Sequence, residues 1–209
     1  MKYLLHLSML FLPFLAQAQD TLARRIILIG DAGELHQDGH NPVIDAVKSR
    51  FDLQDARNTV LYLGDNVYPY GMPDPTSSRY PLSKEILDYQ VNLVRNTNTQ
   101  AYFIPGNHDW EKSRPNGWET IINQQLYVDS LNLPNVSFLP KDGCPGPIEV
   151  ALDKNITLVI MDTEWWLFPY AKPGPESSCD FKTKQDVLTE LSDIVIRNRN
   201  KLVIFASHH

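Results

Sequence analysis

Four apolar runs of strand length in this chain each end, without a spacer, in a cluster of potential metal-ligating side chains, three of which begin with glycine. Ile26–Ile29 leads into Gly30-Asp31-Ala32-Gly33, and Val60–Leu63 into Gly64-Asp65-Asn66-Val67-Tyr68. Ala101–Pro105 leads into Gly106-Asn107-His108-Asp109, and Leu202–Ala206 into Ser207-His208-His209. The runs are continuous rather than alternating, as expected of strands covered on both faces. In open α/β sheets, ligands bind at the carboxyl ends of the strands. Asp31, Asp65, Asn107 and His208 are therefore expected to converge, although they lie far apart in the chain. Glycine at the first three turns lets the backbone bend sharply and lets a cation sit close to it.

Helical patterns separate several of the runs. Asn41-Pro42 reads as an N-cap followed by proline in the first turn, with Val43, Ile44, Val47 and Phe51 on one face. Leu87, Val91 and Val94 make a second apolar face, and Asn116 with Glu119 resembles a capping box before Ile121, Ile122 and Leu126. The spacing of Val187, Leu188, Leu191, Ile194 and Val195 predicts a helix over 183–199. Ile148–Leu152 and Ile156–Met161, joined by Asp153-Lys154-Asn155, look like a hairpin, which makes a mixed sheet. The whole predicts an α/β layered domain over residues 26–209, after a polar linker at 19–25.

Residues 1–18 read as an export signal: Lys2, an apolar stretch from Leu4 to Leu15, and the small-x-small site Ala16-Gln17-Ala18. The stretch is short for a membrane span and polar residues follow it, so an exported protein without a transmembrane segment is expected. In that setting the only two cysteines, Cys144 and Cys179, either form one bridge or stay unpaired. The net charge is −6 and no Lys/Arg run occurs, so nothing signals a nucleic-acid partner. Acidity does not oppose a phosphate substrate, because bound cations reverse the local field.

Carboxylate, amide oxygen, imidazole and phenol oxygen are hard or borderline ligands, suited to iron, zinc or manganese. A Gly-Asp pair after a strand is ordinarily just a turn. Four such clusters in order are not explained that way. His36 and His40 read as solvated loop histidines. Asp162 reads as a turn or supporting residue, His209 as a pocket residue, and Trp165-Trp166 as entrance or core.

GDAG, GDNVY, GNHD and a strand ending at His208 together resemble the calcineurin-like metallophosphoesterases, and GDNVYPYG with GNHDW is most similar to their purple, tartrate-resistant acid phosphatases. The resemblance implies a four-layer αββα sandwich and a pair of metal ions, iron with iron, zinc or manganese, acting on a phosphate ester. Asp31 would bind the first metal, Asp65 would bridge both, and Tyr68 would bind the first as phenolate. Asn107 and His208 would bind the second. His108 would contact the phosphate and protonate the leaving group, with Asp109 orienting it. Members also carry a later Gly-His-x-His motif, which this sequence lacks. The reading is therefore a piece of a longer product, incomplete at its C-terminal side and inactive alone. The alternatives are a phosphodiesterase or nucleotidase with the same metals, or a non-catalytic binding module.

Overall fold

A computed structural model of the chain describes residues 22–209. The expected export signal and residues 19–21 of the linker lie outside the described residues, and Arg25, assigned to the linker, opens the first strand. Among the described residues seven strands and five α-helices follow one another, built around two sheets. The first sheet contains β1 (Arg25–Ile29), β2 (Asn58–Leu63), β3 (Gln100–Ile104) and β4 (Val136–Phe138), in that spatial order and parallel in every pair. The second contains β5 (Ile148–Asp153), β6 (Ile156–Ile160) and β7 (Leu202–Ala206). The predicted hairpin pairs β5 with β6 antiparallel, and β7 joins β6 in parallel, so this sheet is mixed.

The two-residue period of β2 shows how the layers stack. Val60 and Tyr62 join Ile27, Ile29, Ala101 and Phe103 in a core beneath the helices. That core takes Ile44 and Val47 from α1 (Pro42–Arg50), Leu87 and Val91 from α2 (Tyr80–Asn92), and Ile121 and Val128 from α3 (Gly117–Ser130). Leu61, between them in sequence, faces the other way and meets Ile104, Leu158, Ile160 and Ala206 between the two sheets. Strands buried on both sides need the continuous apolar runs seen in the sequence. On the outer face of the second sheet lies α5 (Lys184–Arg197). Its C-cap Asn198 is bonded to Glu149 of β5 and Thr157 of β6. The layers run helices, sheet, sheet, helix, as expected.

The helix ends follow the local sequence signals unevenly. Asn41 caps α1 through its side-chain oxygen, as expected, and its amide also donates to Ala32 O and Glu34 O, tying the helix to the first polar cluster. Thr183 and Asp186 form a reciprocal capping box on α5 that the sequence reading did not name. The expected box at Asn116 is not formed. Asn116 makes no side-chain cap, and its backbone N–H is taken by Glu111. Val43, Leu126, Leu188 and Val195, all assigned to buried faces, are exposed. β4 was not foreseen, since three residues are too few to show a period. The bridge between Cys144 and Cys179 is present, with the Cα atoms 5.7 Å apart. Among the described residues no helix is long and apolar enough to cross a membrane.

Candidate metal centre

β1, β2 and β3 are neighbours in one sheet and β7 lies in the sheet stacked on it, so their carboxyl ends share a rim. There Asp31, Asp65 and His208 bring one ligand atom each within 4.8 Å of one another. Both aspartates turn the chain in the left-handed region, with φ of 56° at Asp31 and 55° at Asp65. Aspartate tolerates this better than most residues, yet it still carries a steric cost that the surrounding structure must hold. Asp31 N–H donates to Gly64 O, and Tyr68 N–H to Gly33 O, stitching the first two clusters together.

Two glycines are required by close approach rather than by turn geometry alone. A Cβ on Gly64 would lie 2.5 Å from His208 Nδ1, and one on Gly106 would lie 2.4 Å from both the backbone N and Oδ1 of Asp65. Their absent side chains let the imidazole from β7 and the loop after β3 close over Asp65.

The donor set faces inward in a way that suits cations. His208 Nδ1–H donates to Leu63 O at 2.7 Å, which leaves Nε2 of the neutral ring as a lone pair. That nitrogen looks at Asn107 Oδ1 at 3.2 Å and Asp65 Oδ1 at 3.5 Å. Tyr68 has one phenolic proton but lies 2.9 Å from Asp31 Oδ1 and 3.0 Å from Asp65 Oδ2, so it satisfies only one of them at a time. Lone pairs turned on one another repel, and shared cations resolve the repulsion. A metal-ligating histidine ordinarily has its other nitrogen fixed by a carbonyl or carboxylate, as Leu63 O fixes His208. Asp31, Asp65, Tyr68, Asn107 and His208 thus fit a metal centre. All five of the metal-ligand candidates named from the sequence are brought together.

His108 reaches the same place. Its backbone N–H donates to Asp65 Oδ1 at 2.9 Å, and its ring Nε2 lies 3.9 Å from Asp65 Oδ2. Nδ1–H donates to Pro69 O at 2.7 Å, and the ring packs edge-on against Tyr68. Asp109 was expected to orient this imidazole. Its carboxylate is fully buried and accepts instead from the backbone of Gly106, Asn66 and Val67 and from the Asn66 amide. The main-chain donors it collects clamp the loops after β2 and β3 to each other, and Pro69 O is what holds His108. Burial pushes the Asp109 carboxyl up to about 7, opposed by the backbone donors that favour its charged form. The roles of Asn66 and Pro69 were hidden in the sequence, although both sit inside the motif quoted for Asp65 and Tyr68.

Beside the centre, after β6, two more acids are buried. Asp162 accepts from Trp110 Nε1–H and Trp165 N–H, and Glu164 from Ser113 Oγ–H. Glu164 also lies 3.2 Å from His209 Nε2. Burial raises the Asp162 carboxyl to about 7, against those two donors. A carboxyl raised in the folded state takes up a proton on folding, so its contribution to stability declines as pH rises from its unfolded value, near 4, to about 7. Trp110→Phe removes a donor that favours the ionised form. Its loss of stability is expected to grow by roughly 1–2 kcal/mol between pH 5 and pH 8 in urea denaturation. A deficit independent of pH would show that Trp110 acts by packing alone.

The remaining candidates separate clearly. His36 shares an open cavity of about 840 Å³ with Asp31, Glu34 and Asp38. His40 lies away from it, bonded to Tyr89 and paired with Asp45. Trp165 is a core residue rather than an entrance residue, with Trp166 packed against that core.

Two stacked sheets flanked by helices, with carboxylates, amide and imidazole meeting at the strand ends, define a metal-binding α/β sandwich domain. The chain belongs to the calcineurin-like phosphoesterase family, whose profile it matches over residues 24–209. The family is one of metal-dependent phosphoester hydrolases. No match was found among curated proteins.

Proposed function

We propose that this protein is a phosphomonoesterase of the acid-phosphatase type, working with two metal ions at the centre formed by Asp31, Asp65, Tyr68, Asn107 and His208. The observation that carries the reading is Tyr68, whose phenol oxygen lies between Asp31 and Asp65 within hydrogen-bond distance of both. Burial, and then the two carboxylates, hold its proton on more firmly than in free tyrosine. Only a strongly charged cation at the same spot would favour the phenolate, and a ferric ion is the hard partner for it. A bound metal pair would activate a water and neutralise charge on the phosphoryl oxygens.

The chain's own groups supply the rest. Asp65 can serve two cations because its two oxygens face different ligands, His208 with Oδ1 and Tyr68 with Oδ2. His108, fixed at Nδ1 by Pro69 O, presents Nε2 to the site, where the imidazolium can give a proton to the departing alkoxide. The acid-phosphatase type, the iron and export from the cytoplasm are all parts of this proposal.

Metal analysis together with a visible spectrum tests it. Two ions per chain and an absorption band from tyrosinate on ferric iron are expected, and Tyr68→Phe should abolish the band while Asp31 and Asp65 still hold metal. An iron-loaded protein without that band would instead be a zinc- or manganese-type phosphoesterase.

A further inference from the structure

Two residues beyond Tyr68, the ring of Tyr70 gathers a pair of cations. The Arg114 guanidinium stacks 4.0 Å from the ring centroid and its Nη2 donates to the Tyr70 hydroxyl at 3.2 Å. The Arg79 guanidinium lies 5.6 Å from the same centroid. Both arginines are exposed, and among the described residues neither forms an ion pair with a carboxylate. In a chain of net charge −6, two unpaired guanidinium groups on one ring stand out.

Their placement ties them to the metal centre. Pro69, between Tyr68 and Tyr70, is the residue whose carbonyl holds His108. A Cβ on Gly71 would lie 2.4 Å from Asp109 O, so the loop carrying Tyr70 is pressed against the chain that follows His108. Arg114 arrives by a costly route. Glu111, Lys112 and Ser113 all take φ of 54°, a run of left-handed residues that each oppose L-side-chain sterics by about 1–2 kcal/mol. Glu111 is held by the Asn116 N–H and Ser113 by the buried Glu164, which fixes this turn and the position of Arg114 after it. The cavity beside Asp31 is lined by Glu34 and Asp38 and would repel an anion.

Resting on the function proposed above, we propose that Tyr70, Arg79 and Arg114 form an anion subsite at the rim of the metal centre. It selects phosphate esters whose alcohol portion carries its own negative charge, a carboxylate or a second phosphate. A planar guanidinium suits both groups because it offers paired donors in one plane. Cation–π contact with Tyr70, close for Arg114 and longer for Arg79, holds the guanidinium groups without neutralising them.

The test uses two non-hydrolysable ligands that differ by one charge, benzylphosphonate and 4-carboxybenzylphosphonate. They are titrated calorimetrically into the manganese-loaded protein and into Arg79→Gln/Arg114→Gln. The wild type is expected to bind the carboxylated ligand about fivefold more tightly at low salt, the size two partly exposed charge contacts allow. The ratio should fall to about one in the double variant, and also in the wild type at high salt, where exposed charges are screened. A wild-type ratio of one, or a preference that survives both substitutions, overturns the subsite alone. Failure of both phosphonates to bind the wild type would remove the metal-centre reading and the subsite with it.

Discussion

Asp65→Ala is expected to weaken metal binding by at least about 100-fold, more than any other single change at the centre. Loss of a supporting residue alone costs roughly 10–100-fold in other metal sites, and Asp65 is placed among the proposed ligands themselves. Asp65 is only 3% exposed, and its carboxylate also accepts from the His108 backbone and faces Tyr68 and His208. Its removal separates the two halves of the donor set. The readout is thermal. Metal at 1,000 times its Kd stabilises a protein by about 4 kcal/mol, and that rise in Tm should vanish in the variant. The metal-free variant should unfold near the wild type's own metal-free temperature, because deleting one of two close carboxylates also relieves repulsion. A variant whose Tm still climbs with metal would show that Asp65 is not a shared ligand.

His108→Ala is expected to lower kcat by roughly 10²–10⁴-fold with an alkyl phosphate as substrate. The leaving alkoxide is a strong base and needs a proton, whereas 4-nitrophenolate leaves without one, so 4-nitrophenyl phosphate should suffer far less. Metal content should stay unchanged, because the contact of residue 108 with Asp65 runs through its backbone N–H, which alanine keeps. An equal fall on both esters would remove the proton-donor role. A loss of metal would make the ring structural.

The metal-ligand candidates were legible in the sequence because strand ends are legible. An apolar run broken by Gly-Asp marks where a buried strand leaves the sheet, and parallel neighbours place such ends on one rim. The helix faces were less legible. Val43 and Leu126 have the right spacing for burial yet face solvent, since the spacing places residues on a face but does not say how wide a contact the neighbouring layer makes. The missing box at Asn116 has a similar cause: Glu111, held in a left-handed turn, reaches the N–H first.

Asp109 shows the limit most clearly. The resemblance implied that it orients the imidazole of His108, but adjacent residues in a loop commonly point apart. The carboxylate turns into the protein to collect backbone donors from Gly106, Asn66 and Val67. The arginine pair on Tyr70 was equally invisible, because it joins two connections, the one after β2 and the one after β3, with no common pattern.

From the order of residues alone came the layered α/β class, the continuous strands and the candidate ligand types, because solvation and backbone sterics act on short stretches of chain. Tertiary structure decided which oxygen each nitrogen faces, which acid is buried and which arginine is left unpaired. Those depend on distances between segments tens of residues apart, and such distances are set only when both sheets and their helices pack at once.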